Sequence, residues 1–218
     1  MQDVSKSYGK RTVLQGFSLN VNAGEMVALC GASGCGKSTL LNILGLLERL
    51  DLGSYALFGK SNIKPGSMSA TRCIRENISY LFQNYALVDN MTVKENLLFA
   101  LRYVAASGKD KLAAICESLA QVGLDGCLNA RVCELSGGEQ LRVALARCII
   151  KPGGLILADE PTGSLDSGNR DNVMQLLKGL NRQGKTIVMV THDPAAAAFC
   201  DRVIQIAAVE NSAECSLR

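Results

Sequence analysis

The sequence predicts an α/β fold with a mainly parallel sheet, because three apolar segments of strand length are separated by helical patterns. The segments are "MVALC" at residues 26–30, "LILAD" at 155–159 and "TIVMVT" at 186–191. Continuous apolar runs of this length are typical of strands buried on both faces of a sheet. Helices between such strands favour parallel pairing. We expect one more strand within "RVIQIAAV" at 202–209 to close the sheet.

The first fifty residues are predicted to contain a strand before the first apolar segment and a helix after it. Phe17, Leu19 and Val21 alternate with polar residues, which predicts a half-exposed strand at 17–21. A glycine-rich segment follows "MVALC" and leads into a helical pattern. The apolar residues that share one face of this expected helix are Leu40, Leu41, Ile43, Leu44 and Leu47.

The middle of the chain, from 85 to 147, shows only helical patterns. Two of its segments open with a capping box, Thr92 with Glu95 and Ser136 with Glu139. We therefore expect a helical subdomain at 85–147, inserted into an α/β core at 1–84 and 148–218. Together these parts are predicted to form a single domain, 1–218.

Glycines mark the expected ends of two helices. A pattern at 109–122 stops at Gly123, and "VMQLLKGLNRQ" is followed by Gly184, at the position where a helix commonly ends in a left-handed residue. The helix before Gly123 is expected to bury one face, which consists of Leu112, Ile115, Cys116, Leu119 and Val122.

Composition excludes several classes of protein. The 218 residues carry a net charge of +3 without a run of Lys or Arg, so we expect no nucleic-acid partner. The nine cysteines form no Cys-x-x-Cys pair and there is one histidine, which argues against a zinc site and suits a reducing cytosol. The polar N-terminus does not resemble a signal peptide. No apolar run reaches the roughly 18 residues of a membrane span, so a partner is expected to provide any spanning part.

The glycine-rich segment "GASGCGKST" at 31–39 fits the phosphate-binding pattern G-x-x-x-x-G-K-[ST] between a strand and a helix. Its backbone N–H groups and the helix N-terminus favour phosphate oxygens. Lys37 is expected to reach the β- and γ-phosphates, and the Ser38 hydroxyl to bind Mg²⁺. Cys35 within the loop is either a packing residue or a thiol whose pKa the helix N-terminus lowers.

Asp159 and Glu160 end the apolar segment "LILADE". Two adjacent carboxylates at a buried strand end repel each other and resist desolvation, so they are best explained by a nearby cation. We expect Asp159 to hold Mg²⁺ through water and Glu160 to polarise the water that attacks the γ-phosphate. The alternative is a pair of solvated strand-end acids.

Three more side chains are candidates for the same crevice. His192 follows the apolar segment at 186–191, and the carboxyl ends of parallel strands meet at one edge of a sheet. Gln83 could bind Mg²⁺ and water without adding charge, although an isolated glutamine is usually a surface residue. Tyr8 could stack on a base, although an exposed tyrosine usually does not.

The segment "LSGGEQ" at 135–140, called the signature segment below, is a second candidate anion site. Ser136 caps a helix and two glycines allow close backbone approach, but the segment has no lysine and lies in the helical subdomain. Two glycine loops in one chain would compete for the same phosphate oxygens. A division between two molecules avoids this, with Lys37 from one chain and Ser136 from the other.

These motifs together resemble the nucleotide-binding subunit of ABC transporters over nearly the whole chain. "GASGCGKST" resembles the Walker A loop, "LILADE" the Walker B strand, "LSGGEQ" the family signature and "PTGSLD" the D-loop at 164–166. His192 matches the switch histidine, Gln83 the Q-loop glutamine and Tyr8 the aromatic residue that stacks on adenine. Within the family, the macrolide-export and lipoprotein-release branch is most similar, with bacteriocin or antimicrobial-peptide exporters closer still.

The resemblance implies an ATPase with a P-loop NTPase core, that is, a RecA-like, mainly parallel sheet, together with an antiparallel β subdomain and an inserted helical subdomain. ATP and Mg²⁺ are the implied ligands, a head-to-tail homodimer the ATP-bound state, and a separate membrane permease the partner. The implied location is the cytoplasmic face of a bacterial cell membrane. Catalysis is assigned to Glu160, His192, Gln83 and Lys37, and Mg²⁺ binding to Ser38, Gln83 and Asp159. ATP binding is assigned to Tyr8, Gly31, Ser33, Gly34, Cys35, Gly36, Lys37, Ser38 and Thr39, and in trans to Ser136, Gly137, Gly138, Glu139 and Asp166.

The sequence departs from the family at three places. Leu141 stands where many relatives have Gln, Cys133 and Glu134 stand near a common Pro, and the chain begins later than relatives do, so we expect either trimming or a shortened small sheet. None of these removes a catalytic group, so we expect an active ATPase.

Two alternatives within the wider family remain. One is a soluble ABC ATPase of translation or DNA repair, but the tandem domains, coiled coil or zinc cysteines of that class are missing from this sequence. The other is a regulatory module that binds ATP without hydrolysis, against which Glu160 and His192 argue. A P-loop GTPase is disfavoured because no Asn-Lys-x-Asp motif occurs.

Overall fold

The computed structural model describes residues 1–163 and 165–209, and within them ten strands and seven α-helices. The strands are β1 (Gln2–Tyr8), β2 (Arg11–Phe17), β3 (Met26–Cys30), β4 (Leu52–Ser54), β5 (Ala56–Leu57), β6 (Lys60–Ser61), β7 (Ile78–Leu81), β8 (Leu155–Asp159), β9 (Thr186–Val190) and β10 (Arg202–Gln205). The helices are α1 (Lys37–Leu44), α2 (Met68–Asn77), α3 (Val93–Ala100), α4 (Gly108–Gln121), α5 (Gly137–Ile150), α6 (Ser167–Arg182) and α7 (Pro194–Ala197).

A five-stranded parallel sheet in the order β10-β3-β9-β8-β7 forms the centre of the molecule. The three strands predicted from apolar runs, β3, β9 and β8, occupy its middle and are almost fully buried. The predicted last strand forms an edge of the sheet and ends at Gln205, four residues earlier than the apolar segment does. The opposite edge is β7, which is four residues long and too short to show a pattern in the sequence.

A second, antiparallel sheet in the order β2-β1-β4 packs over α1, and β5 and β6 form a separate hairpin. The predicted strand at 17–21 is wrong, because β2 ends at Phe17 and no strand continues to residue 25. Leu19 is buried as a loop residue, held by hydrogen bonds of 3.1 and 2.8 Å between its backbone and that of Met1. Its apolar character therefore reflects core packing of a loop.

Helix α1 follows the glycine-rich segment as predicted, but it is shorter than the sequence pattern. It ends at Leu44, and Leu46 has a left-handed backbone with a φ of 59°. This reversal carries the chain away from the helix axis, so Leu47 is 49% exposed and does not extend the buried face.

Helices α3, α4 and α5 pack together as the sequence predicts for the middle of the chain. Both capping boxes are present, at Thr92 and at Ser136. The buried face of α4 includes Ile115 and Leu119, but Cys116 is exposed, so its assignment to that face is wrong. The error arises because Cys116 directly follows Ile115 and is rotated about 100° from it.

Gly123 and Gly184 follow α4 and α6 with φ values of +69° and +93°, as predicted. Such angles favour glycine because it has no Cβ. Across the described residues, no helix combines the length and the apolar character that crossing a membrane would require.

Candidate active site

A cavity of about 740 Å³ lies at the carboxyl ends of β3, β8 and β9 and is bounded by β1, β2 and the start of α1. Because parallel strands end at the same edge, side chains that are far apart in sequence meet there. The cavity brings together eleven of the predicted site residues, namely Tyr8, Ser33, Gly34, Gly36, Lys37, Ser38, Thr39, Gln83, Asp159, Glu160 and His192.

The glycine-rich loop depends on Gly36 for its shape. Gly36 has a φ of +96°, and a Cβ built there would lie 2.7 Å from the Val13 carbonyl oxygen. The loop therefore packs against β2 more closely than any side chain allows. It leads into α1, whose N-terminus has no side-chain cap. Free N–H groups at a helix N-terminus that borders a cavity are suited to an anion.

Gly31 and Cys35 do not line the cavity, although the sequence predicts both to bind ATP. A Cβ on Gly31 would come within 2.7 Å of the Cys35 sulfur and 2.6 Å of the Ile206 carbonyl oxygen. The Cys35 side chain is 2% exposed and packs in the core beneath the antiparallel sheet. Its burial favours the packing role over the reactive thiol, since a reagent does not reach it.

Two cationic side chains hydrogen-bond to carbonyl oxygens of the glycine-rich loop. The Lys37 ammonium donates hydrogen bonds to the carbonyl oxygens of Gly31 at 2.8 Å and Ala32 at 2.9 Å. Arg11 on β2 donates to the Gly34 carbonyl oxygen at 3.3 Å and lines the same cavity. The sequence does not predict this role for Arg11, because a single arginine on a short strand has no pattern that assigns it to a loop 23 residues away.

Asp159 lies half-buried at the end of β8 and accepts a hydrogen bond from the Ser38 hydroxyl at 3.3 Å. Burial raises the pKa of the Asp159 carboxyl, and the charge of Glu160 adds to this, while Ser38 and Lys37 act against it. The charged carboxylate is therefore disfavoured unless a cation lies beside it.

The residues present fit a Mg²⁺ ion that keeps several non-protein ligands. Ser38, Asp159 and Gln83 offer hydroxyl, carboxylate and amide oxygens around one cavity. Over the described residues, no group of three or more His, Cys, Asp or Glu side chains forms a closed metal cage. Mg²⁺ is commonly bound by one or two carboxylates together with water and substrate phosphates, so an open set of this kind suits it.

Glu160 is paired with His192 across the cavity. The Nδ1 atom of His192 and the Oε2 atom of Glu160 are 2.9 Å apart, and the Glu160 side chain is only 15% exposed. Glu160 has a left-handed φ of +47°, and its N–H donates to the Val190 carbonyl oxygen at 3.0 Å. A strained backbone of this kind in a non-glycine residue is often found at functional sites.

Gln83 and Tyr8 both line the cavity. Gln83 is exposed and comes two residues after the end of β7, and Tyr85, which the sequence did not single out, lines the cavity beside it. Tyr8 ends β1 and is exposed, with the Lys6 ammonium 5.1 Å from its ring centroid.

The signature segment lies elsewhere on the molecule. The Ser136 hydroxyl accepts a hydrogen bond from the Glu139 N–H at 3.4 Å, and the Glu139 carboxylate accepts from the Ser136 N–H at 2.9 Å and hydroxyl at 2.7 Å. The hydrogen bonds from Ser136 lower the pKa of Glu139. Ser136 and Gly137 are exposed at the start of α5.

None of the residues predicted to act in trans, within the described part of the chain, lines the cavity at Lys37. Asp166 caps α6, where it accepts from the Asn169 N–H at 3.0 Å, and this bond lowers its pKa. Ser164, predicted as part of the same loop, lies outside the described residues. The residues predicted to bind anions thus form two separate sets, and only one contains a lysine.

Comparison with known proteins identifies relatives of the whole fold. A family model described as "ABC transporter" matches residues 14–163. The chain is 43% identical over 196 residues to the macrolide export ATP-binding/permease protein MacB of Psychrobacter arcticus, covering 89% of this chain and 29% of that protein. It is 40% identical over 210 residues to MacB of Escherichia coli strain K12, covering 94% and 32%. The chain thus spans about a third of the length of these relatives.

Solved structures agree with this relationship. The dimeric structure of MJ0796, described as a bacterial ABC transporter cassette, has a TM-score of 0.86 and 37% identity, over 94% of this chain and 92% of that one. A second dimeric structure of MJ0796, in a post-hydrolysis state bound to ADP and phosphate, has a TM-score of 0.85. The predicted α/β fold with its parallel and antiparallel sheets is confirmed.

Proposed function

This chain belongs to the ABC transporter family as an ATP-binding cassette, and we propose that it hydrolyses ATP between two copies of itself to drive export through a membrane permease. The observation that supports this most is the separation of two anion-binding sets, the cavity at Lys37 and the exposed signature segment at the start of α5. Each set alone is half of a site, because the first is open on one side and the second has no lysine.

Within one half-site, the residues around Glu160 perform the hydrolysis. Glu160 accepts a proton from a water molecule, whose oxygen attacks the γ-phosphorus of ATP as the bond to the β–γ bridging oxygen breaks, giving ADP and phosphate; Glu160 then releases the proton to solvent. His192 fixes the Glu160 carboxylate from 2.9 Å away. The Lys37 ammonium leaves its loop carbonyls for the β- and γ-phosphates and compensates their negative charge.

Mg²⁺ neutralises charge on the β- and γ-phosphates when it is bound. In this chain Ser38, Asp159 and Gln83 are the residues that would hold it, the Asp159 carboxylate through water. The ion would stabilise the charged form of Asp159, which burial disfavours in the free protein. Tyr8, whose ring is exposed at the rim, stacks on the adenine base.

The second copy closes the open side of the cavity. Its α5 N-terminus presents Ser136, Gly137 and Gly138 to the γ-phosphate, and Glu139 holds the Ser136 hydroxyl in place. Asp166 of the second copy lies in the same interface. A head-to-tail dimer of this kind forms with ATP bound, since the cations and helix termini of both chains then surround the phosphate charge.

A second groove, separate from the cavity at Lys37, is the surface proposed for the permease. It encloses about 930 Å³ beside α2, β7 and α3, and its rim includes Phe99, Tyr103 and Met68, of which Met68 is 91% exposed. Arg75 adds positive charge to this rim, whereas Arg72 forms an ion pair of 2.8 Å with Glu76. The groove therefore suits a cytoplasmic helix of a permease that has apolar and acidic side chains.

The proposed location is the cytoplasmic face of a bacterial cell membrane. Export of the kind named for the MacB relatives is the favoured activity, with lipoprotein release and bacteriocin or antimicrobial-peptide export as related possibilities in the same branch. The helical subdomain at 85–147, which forms one side of the groove, is proposed to move as a unit when the dimer closes.

Replacing Glu160 with Gln tests the proposed function. We expect Glu160→Gln to bind ATP normally, to lose hydrolysis by about 10²- to 10⁴-fold and to accumulate as an ATP-bound dimer, since the base is lost while the phosphate contacts remain. Size-exclusion chromatography with light scattering and a phosphate-release assay measure both effects. Lys37→Ala is the control and is expected to stay monomeric with ATP. A Glu160→Gln protein that remains monomeric at saturating ATP contradicts the proposal.

A further inference from the structure

Helix α5 reaches from the signature segment to the backbone that follows Gln83. Near its C-terminal end, the Arg147 guanidinium donates one hydrogen bond to the Ala86 carbonyl oxygen and another to the Tyr85 carbonyl oxygen, each 2.6 Å long. These bonds join residues 61 and 62 positions apart in sequence. A planar guanidinium can donate in parallel to two acceptors, which an ammonium group cannot do with the same geometry.

The two carbonyls belong to residues in an unfavourable backbone conformation. Tyr85 and Ala86 have φ values of 62° and 47°, both in the left-handed region that residues other than glycine rarely adopt. Two consecutive left-handed residues persist only where surrounding contacts hold them. The fork from Arg147 is such a contact, because it fixes both carbonyl groups at once.

Within the part of the chain that the structure describes, an ion pair does not explain the position of Arg147. Among the described residues, no carboxylate lies within 4.0 Å of its guanidinium. Burial lowers the pKa of Arg147, so the cation is held in this place against a desolvation cost. Its hydrogen bonds to the strained turn are what offset this cost.

The strained turn borders the candidate active site directly. Tyr85 lines the same cavity as Gln83, Ser38 and Asp159, and Gln83 precedes the left-handed pair by two residues. A rotation of the backbone at Tyr85 or Ala86 would therefore move the Gln83 amide relative to Ser38 and Asp159.

We propose that Arg147 is a positioning residue that holds the left-handed turn at 85–86 and thereby aims Gln83 at the Mg²⁺ and water of the active site. The inference rests on the proposed function, because it needs Gln83 to take part in hydrolysis. Arg147 belongs to the helical region and does not touch the substrate, but it would act on the active site of its own chain through Gln83.

The test compares Arg147→Met with Arg147→Lys in the full chain. Met keeps the length and packing of the side chain without its hydrogen bonds, and Lys restores the charge and one donor direction. We expect Arg147→Met to lower kcat by about 10-fold and to raise the Mg²⁺ concentration for half-maximal activity by a similar factor, as outer-shell changes do, with KM for ATP unchanged. Arg147→Lys should recover part of kcat.

A double-mutant cycle with Gln83→Ala separates positioning from a general loss of stability. If Arg147 acts through Gln83, Arg147→Met has little further effect on kcat once Gln83 is Ala. Hydrogen–deuterium exchange of the nucleotide-free protein gives a readout apart from activity. In Arg147→Met, the amides of 84–88 should exchange faster, while those of β8 and β9 stay protected.

The outcomes distinguish the inference from the proposed function. Equal losses of kcat from Arg147→Met with and without Gln83, or unchanged exchange at 84–88, overturn the inference and leave the proposed function standing. If Gln83→Ala hydrolyses ATP like the wild type, Arg147 has no catalytic group to position and the inference is wrong. A wild-type protein without ATPase activity refutes the proposed function and the inference with it.

Discussion

At the scale of single residues, the candidate active site contains groups whose burial or backbone conformation lowers the stability of the folded protein. Asp159 carries its charge in a half-buried position beside a second carboxylate, and Glu160 adopts a left-handed backbone. Their costs are tolerated because a large buried core surrounds the site. Such exceptions to favourable local structure are expected where binding or catalysis requires them.

Replacing Asp159 with Asn is expected to stabilise the protein when ATP and Mg²⁺ are absent. The pKa of Asp159 is higher in the folded protein than in the unfolded chain. Between these two pKa values the folded protein therefore binds more protons than the unfolded chain. The free energy of unfolding of the wild type then falls as the pH rises through that range. Asn avoids this loss and still accepts the hydrogen bond from Ser38. The melting temperature of Asp159→Asn should therefore exceed that of the wild type at pH 7.

The advantage of Asp159→Asn should be lost as the pH falls below about 4, the ordinary pKa of an aspartic acid, because the wild-type carboxyl is then protonated in both states. Thermal unfolding followed by circular dichroism across this pH range measures it. Asp125→Asn, at an exposed turn residue, is the control and should leave the melting temperature unchanged. An equal or lower melting temperature for Asp159→Asn at pH 7 would show that burial of this carboxylate is not costly.

The sequence predicts which side chains meet at the candidate active site, but not their backbone angles or their long-range contacts. Asp159, Glu160 and His192 follow buried strands, so their meeting at one sheet edge follows from parallel pairing. The left-handed φ of Glu160 and the contacts of Arg11 and Arg147 do not follow, because each depends on tertiary packing between distant segments. Long-range hydrogen bonds of a single arginine leave no periodic signal.

At the scale of helices and strands, local chemistry decides where most elements begin. The capping boxes at α3 and α5 have the same bonds in the structure, and both were predicted from four-residue patterns. Endings are less predictable. Helix α1 stops at Leu44 although its apolar pattern continues, because Leu46 reverses the chain beneath the antiparallel sheet. The strand predicted at 17–21 is wrong for a similar reason. Leu19 is buried in a loop, and its apolar side chain between polar neighbours gives the same alternating pattern as a strand.

The two capping boxes provide a matched test of the signature segment. Ser136→Ala and Thr92→Ala each remove an N-cap side chain, and each should lower the free energy of unfolding by about 0.5–2 kcal/mol. Only Ser136→Ala is expected to reduce kcat for ATP hydrolysis as well, because only α5 is proposed to present its N-terminus to a partner's phosphate. ATP binding by the monomer should be retained in both.

Chemical denaturation and steady-state ATPase assays measure the two effects. Equal loss of kcat in Thr92→Ala and Ser136→Ala would attribute the effect to reduced helix stability. It would leave the signature segment without a catalytic role.

At the scale of the whole molecule, the proposed functional unit is larger than one chain. The cavity at Lys37 is open to solvent, and Ser136 and Asp166 lie outside it. The sequence already separates the two phosphate-binding sets, since one belongs to the sheet crevice and the other to the helical region. How the two chains dock depends on surface shape, and no sequence pattern of a single chain encodes it.

Complementation between two inactive variants tests the shared active site most directly. Lys37→Ala removes the lysine of one set. Gly137→Asp has room for its side chain and suits a helix N-terminus, but places a negative charge against the partner's phosphates. In a mixed dimer, one site contains both defects and the other contains neither.

The decisive measurement is the ATPase rate of an equimolar mixture of Lys37→Ala and Gly137→Asp, compared with each variant alone at the same total concentration. Each variant alone should be nearly inactive, because both of its sites carry one defect. If active sites form between chains, the mixture should hydrolyse ATP several-fold faster than either variant, since each mixed dimer has one intact site. A mixture whose rate equals the mean of the separate rates would show that each chain completes its own site, which contradicts the account.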